Sequence, residues 1–283
     1  GCRSEAQRSG DDLMMRRSNL AFGAVLISFV FLLALVGLFW TPHGPAAVTG
    51  GIREAPSLAH WLGTDNSGFD IASRLIAGAK LVLLVGLGSV AGAALIGIPA
   101  GMIAGMSRGW GASLIARGAD VLYGFPALLL AILFAAALGG SVWTALMAIS
   151  LSAIRAFVRI ARAATIQVMG LAFVEAARLS GTPRRQIALR HVLPNIAPVL
   201  GVQASVSVGI AILAESGLSY LGLGSGTEVP TWGRMLQEAQ KEIFVAPAIA
   251  LWPGLAIAAA TMGCNLLGDG LRDLLDPKLR ELT

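Results

Sequence analysis

The chain has 283 residues, of which 55% are hydrophobic and only 13% charged, with a mean hydropathy of +0.74. A soluble domain carries about a quarter charged residues, so the composition excludes a soluble globule and indicates an all-α polytopic membrane protein. The formal net charge of +5 reads as loops obeying the positive-inside rule and not as a nucleic-acid surface. Cys2 lies in the hydrophilic start and Cys264 inside an apolar run, so neither a disulfide framework nor metal-ligand spacing is present.

Residues 1–19 form a polar, inside segment ending in Arg16 and Arg17. No small-residue cleavage site precedes the next apolar run, so 20–40 reads as a retained first span. Residues 41–78 are expected outside; within them GTDNSGFDIASRLIAGAK reads as a turn feeding an interfacial helix, with Asp65 or Ser67 as caps. The second span, 81–107, is uncharged and repeats Gly86, Gly88, Gly92, Gly97, Gly101 and Gly105, spacings that let helix backbones approach closely. Arg108 and Arg117 bracket a short inside loop, and a third span over 120–138 contains Pro126. A tight outside turn at Gly139-Gly140-Ser141 returns the chain into a fourth span, whose inner end carries Arg155, Arg159 and Arg162 on one helical face. Those arginines either snorkel to lipid phosphates or contact the segment that follows.

That segment, 174–195, is VEAARLSGTPRRQIALRHVLPN, a polar stretch rich in arginine. It reads as two short cytosolic helices broken at Gly181 and stopping at Pro194-Asn195. The fifth span, 192–214, is closed by Glu215; an outside loop with an amphipathic helix over 234–242 leads to a sixth span, 244–267, and an inside tail, 269–283. The five spans within 79–268 form the expected core. Sixteen of the 21 Lys and Arg fall in segments expected inside and five outside, which places both termini in the cytosol.

An intramembrane serine hydrolase built on Ser89 or Ser216 needs a base within hydrogen-bond reach, and His43, His60 and His191 all lie in expected loops. A secondary transporter normally carries ionisable groups near the bilayer midplane. The centres of these spans are nearly bare of charge, so any transport must draw its energy from elsewhere.

The residues Glu175-Ala176-Ala177, then Gly181, then Leu193-Pro194 resemble the EAA motif of the permease subunits of bacterial ABC importers. LGTDNSGFDIASRLIAGAK, RGADVLYGFPALLLAI, LAESGLSYLGLG, PTWGRML and NLLGDGLRDLLDPKLR are similar to the C-type permease of the dipeptide, oligopeptide and nickel importers, in the same order along nearly the whole chain. Phe69 departs from the family, which usually has a basic residue there.

The resemblance implies a non-enzymatic subunit that forms a substrate path with a sister permease. Its partners would be two ATPase subunits carrying ATP and Mg, a periplasmic or lipoprotein solute-binding protein, and the lipids of the bacterial inner membrane. The chain itself would hold no cofactor and no metal, and it has no G-x-x-x-x-G-K-S/T phosphate loop. Glu175, Ala176, Ala177, Arg178, Gly181, Arg184, Arg185 and His191 are the residues expected to couple to the ATPases. Gln203 and Glu215 are expected along the path, although Glu215 could equally cap an outer helix from Leu218 or pair with a neighbour. Asp65 and Asp70 are turn and helix-start residues first and docking residues for the binding protein second. Peptides are the expected substrate, with nickel or another small solute as the alternative.

Overall fold

A computed structural model of the chain describes residues 2–107, 109–124, 126–224 and 230–275. Arg108, the side chains of Arg16 and Arg17, and the tail beyond residue 275 lie outside what is described, so the roles expected of them are not addressed below. Among the described residues all regular structure is helical, with two isolated bridges, Val48 to Phe69 and Thr64 to Asp70. The helices are α1 (Cys2–Phe39), α2 (Ile71–Met106), α3 (Trp110–Tyr123), α4 (Ala127–Leu138), α5 (Val142–Met169), α6 (Ala172–Leu179), α7 (Arg184–Ile187), α8 (Leu193–Tyr220), α9 (Trp232–Gln240) and α10 (Ala248–Leu275). Five stretches, Asn19–Phe39, Ile71–Met106, Val142–Met169, Arg184–Tyr220 and Ala248–Leu274, are long and apolar enough to cross a membrane. The shorter apolar helix Leu128–Leu138 stands where the third span was expected. "Inner" and "outer" below denote the ends that the arginine distribution places inside and outside.

Local chemistry changed several expected boundaries. The separate interfacial helix does not form: Asp70, and not Asp65 or Ser67, caps α2 by accepting from the Ser73 N–H at 2.8 Å, and the helix then runs unbroken to Met106. The third span is divided into α3 and α4, because Pro126 has extended backbone (φ −54°, ψ 136°) and offers no N–H to continue α3. The fifth span continues past Ala214 to Tyr220, and the last span carries the first residues of the expected tail. The outer amphipathic helix forms as α9, two residues earlier than expected. Its first turn is capped by Thr231, and its Trp232 is fully buried with Nε1 donating to the Leu75 carbonyl at 2.9 Å.

The glycine spacing in the second span is realised as the most extensive helix pair in the molecule, α2 against α5. A Cβ on Gly97 would lie 2.7 Å from Phe157 Cβ, and one on Gly101 would lie 2.5 Å from the Val158 carbonyl. No side chain fits there, so the backbones meet directly, the arrangement that substitutes for hydrophobic drive in lipid. Gly86 faces the other way, toward Ile212 of α8. The main core runs along this pair and reaches α1, α8 and α10. A second, smaller core closes the inner end, and it contains Val174, Ile187 and Val192 together with Met102, Ala161, Val168, Ile196 and Leu200.

Candidate functional site

The segment between α5 and α8 is built on that second core. Val174, Ile187 and Val192 are at most 1% exposed and pin α6, α7 and the turn after it to the inner ends of α2, α5 and α8. Everything else of note on the segment faces outward. Glu175, Ala176, Arg178, Gly181, Arg184, Arg185 and Arg190 are exposed, with Ala177 and His191 half-buried. The side chains of Glu175, Arg178, Arg184, Arg185 and Arg190 have no partner among the described residues. Glu175 occupies the first turn of α6, where a carboxylate is favoured by the helix dipole. Leu179, 86% exposed, adds an apolar tip beside Gly181.

Gly181 breaks the segment where the sequence placed the break, between α6 and α7. A Cβ there would meet nothing within 4 Å, but φ is +78°, so the glycine is required by its left-handed backbone and not by crowding. The helix, however, does not stop at Pro194. Residues 188–192 form a π turn in which the Leu193 N–H donates to Ala188 five residues back. The proline's missing N–H then falls where the ladder is already changing register. Asn195 Nδ2 donates to the His191 carbonyl one turn back at 2.7 Å. The arginine-rich piece is therefore continuous with α8, one helical rod from Arg184 to Tyr220.

Beside this rod lies a cavity of about 710 Å³, within the usual range for small-molecule sites. Its walls are α5 (Ile160, Gln167), α8 (Asn195, Val202, Gln203) and the inner part of α10 (Asp269, Arg272). Gln203 is among the lining residues, with Nε2 donating to Ser207 Oγ at 2.9 Å. Glu215 does not join it. Glu215 is 2% exposed within α8, and Oε1 accepts from Ser219 one turn later at 2.6 Å. It neither lines the cavity nor caps a new helix, since α8 continues past it.

At the outer end Asp65 and Asp70 are 4% and 1% exposed. Asp65 Oδ1 accepts from the N–H groups of Ser67 and Phe69, and Oδ2 pairs with Arg74. Arg74 also reaches Glu238 of α9 at 2.7 Å and lies 5.0 Å above the Phe69 ring. The residue that departs from the family pattern is thus a platform for Arg74. Burial alone would raise the Asp70 carboxyl, but the Ser73 hydroxyl and N–H, the His60 ring and the charge of His43 together hold it below its ordinary value. Both carboxylates therefore act as the turn and helix-start residues they were read as first. Of the fourth span's arginines, Arg155 reaches Asp120 of α3 at 3.3 Å, a contact to a neighbouring helix and not to the segment.

Residues 97–281 match the family described as binding-protein-dependent transport system inner membrane component. The glutathione transport system permease protein GsiD of Pectobacterium atrosepticum is 41% identical over 229 residues, 81% of this chain and 76% of that protein. The chain belongs to this family. The dipeptide transport system permease protein DppC of Alkalihalophilus pseudofirmus is 39% identical over 269 residues, covering 94% of this chain and 88% of that one. A chain from the solved inward-facing conformations of the MetNI methionine ABC transporter shares the permease fold with a TM-score of 0.56. It is 15% identical and covers 74% of this chain and 96% of its own.

The protein is accordingly a multi-pass inner membrane permease component of an ABC importer. Its cavity adds Gln167, Asn195, Asp269 and Arg272 to the residues foreseen. Asn195 had a signal in the sequence, an amide directly after a proline. Asp269 and Arg272 had none, because they were assigned to a tail that the structure makes part of α10.

Proposed function

We infer that this permease is one of two that together form the path of a bacterial peptide importer, fed outside by a solute-binding protein and driven inside by two ATPase subunits carrying ATP and Mg. The observation that carries the reading is the contrast within the segment 171–192. Its buried side chains Val174, Ile187 and Val192 pack it against three spans, while the side chains of Glu175, Arg178, Arg184, Arg185 and Arg190 have no partner among the described residues. A part that is rigidly attached on one face and unsatisfied on the other suits a lever. Force applied at Glu175, Ala176, Ala177 and Gly181 would pass into α5 and α8, which are also cavity walls. Inward movement of the segment on ATP binding by the partners would then tilt α5 and α8 and change which side the cavity faces. Arg178, Arg184, Arg185 and His191 would meet acidic and polar groups of the ATPase cleft.

Peptides are supported as the substrate class by relatives named for glutathione and dipeptides. The amides of Gln167, Asn195 and Gln203 offer peptide-like hydrogen bonds without fixing a side chain, and Asp269 and Arg272 offer one charge of each sign near the inner mouth. The test is to purify the assembled complex with its binding protein and identify the bound solute by mass spectrometry. A peptide or glutathione is expected, and a metal chelate or sugar would overturn the substrate reading. The chain alone should hydrolyse no ATP. In the complex, Gly181→Val should leave membrane insertion intact while separating ATP hydrolysis from transport, and an unimpaired transport rate would sink the lever.

A further inference from the structure

The outer end holds a group of side chains that belongs neither to the cavity nor to the inner segment. His43 follows α1, His60 sits in the loop beyond it, and Asp70 caps α2; one ligand atom from each lies within 4.8 Å of the others. His60 Nδ1 is 2.9 Å from Asp70 Oδ1, and His43 Nδ1 is 3.8 Å from Asp70 Oδ2. The two imidazoles lie with ring centroids 4.7 Å apart. His43 Nδ1 is the informative atom, because it is shielded from water and has no hydrogen-bond partner. A buried polar atom without a partner is costly, and here it points toward a carboxylate that two other groups already share.

We propose that His43, His60 and Asp70 form a binding site for a divalent transition-metal ion, with zinc as the reference ion. Two imidazoles and one carboxylate are a borderline N,N,O donor set that suits zinc and its neighbours and not calcium or magnesium. Bonds of about 2.1 Å put tetrahedral ligand atoms about 3.4 Å apart, so the His60–Asp70 pair at 2.9 Å would open slightly while His43 moves inward from 3.8 Å. The His43 side chain is 30% exposed, which leaves an approach for the ion and a fourth position for water.

The surroundings fit as well. With Nδ1 on the metal, His60 holds its proton on Nε2, and Glu54 Oε2 lies 3.9 Å from that atom, beyond hydrogen-bond distance but near enough for its charge to favour that tautomer. Ser73 holds Asp70 Oδ2 through both its N–H and its hydroxyl and also accepts from the His43 N–H, so all three ligands share one scaffold. Bound metal would staple the end of α1, the outer loop and the start of α2 together. The site stands apart from the cavity and from the segment 171–192, so its failure would not touch the transport reading.

The experiment uses the full-length chain in detergent with any affinity tag removed. Equilibrium dialysis against zinc chloride, read by elemental mass spectrometry, should give one zinc per chain. Cobalt in its place should show the visible d–d bands of tetrahedral coordination. His43→Ala keeps the His60–Asp70 hydrogen bond and should melt like the parent in chelator, yet lose zinc affinity by more than the roughly 10–100-fold that loss of an outer-shell partner costs. Absence of stoichiometric zinc in the parent would overturn the proposal. So would parental affinity in His43→Ala, or a sulfur-to-cobalt charge-transfer band indicating cysteine. If His43→Ala melts lower, His43→Gln together with the parent's cobalt spectrum decides.

Discussion

The two ends of this permease treat charge in opposite ways. Outside, Arg74 joins Asp65 and Glu238, Arg234 joins Glu238, and Arg53 reaches Glu242 at 2.5 Å, so that the loop, α2 and α9 are tied to one another. Inside, Glu175, Arg178, Arg184, Arg185 and Arg190 stand on a rigid base with no partner among the described residues. The contrast separates charges that hold the chain's own shape from charges available to another chain. A composition count cannot make that separation, because both ends contain arginines beside turns.

The sharpest way to break the comparison is to remove Arg74. Arg74→Ala leaves Asp65 buried without its cation and Glu238 with only Arg234, and loss of one partner from a buried pair costs about 3–5 kcal/mol. The purified chain should melt well below the parent, and a change under about 1 kcal/mol would mean that the outer end is not locked by charge. Inside, Gly181→Val should cost the isolated chain only about 1–2 kcal/mol, the penalty of a left-handed residue with a side chain, since no atom obstructs it.

Acid should also distinguish the two ends, with a smaller effect. Burial alone would raise the Glu238 carboxyl, but Arg74 and then Arg234 pull it below its ordinary value of 4.5. A carboxyl lowered by folding contributes stability that is complete above 4.5 and is lost as the pH falls through its folded value. Melting temperature should therefore fall on acidification below 4.5. Glu238→Gln should flatten that part of the profile, and an unchanged profile would remove the outer network as its cause.

Long-range apolar pattern was legible in the sequence, and local backbone chemistry was less so. The glycines of the second span announced a close helix contact, though not that α5 would be the partner. Asp70 as a helix start and the amphipathic α9 were equally plain. Pro126 and Pro194 misled in opposite directions. Both were proline in a helical pattern, yet Pro126 divides a span, while Pro194 follows a π turn that carries the helix through it. That outcome depends on the Asn195 amide and on packing around Val192 and Ile196, which no window of sequence displays. The cavity was half visible: Gln203 stood out as an amide in an apolar run, but α10 supplies Asp269 and Arg272 only because the helix outlasts its hydrophobic stretch. His43, His60 and Asp70 are far enough apart in sequence that no ligand spacing linked them.

The finest test lies on Glu175. It is exposed, it makes no side-chain contact in the described chain, and its only internal support is the dipole of a short helix. That support is worth about 0.3–1 kcal/mol, so Glu175→Gln should shift the melting temperature of the isolated chain hardly at all. If the segment is a docking face, the same change should show only when ATPase subunits are added, as weaker co-purification and a lower transport rate per ATP hydrolysed. Removal of one partner from a buried interfacial charge pair costs about 2–5 kcal/mol, far more than the dipole can account for. A variant that binds its ATPases and transports like the parent would return Glu175 to the solvated surface. The comparison between the two ends would then rest on Ala176, Ala177 and Gly181 alone, where shape and not charge does the coupling.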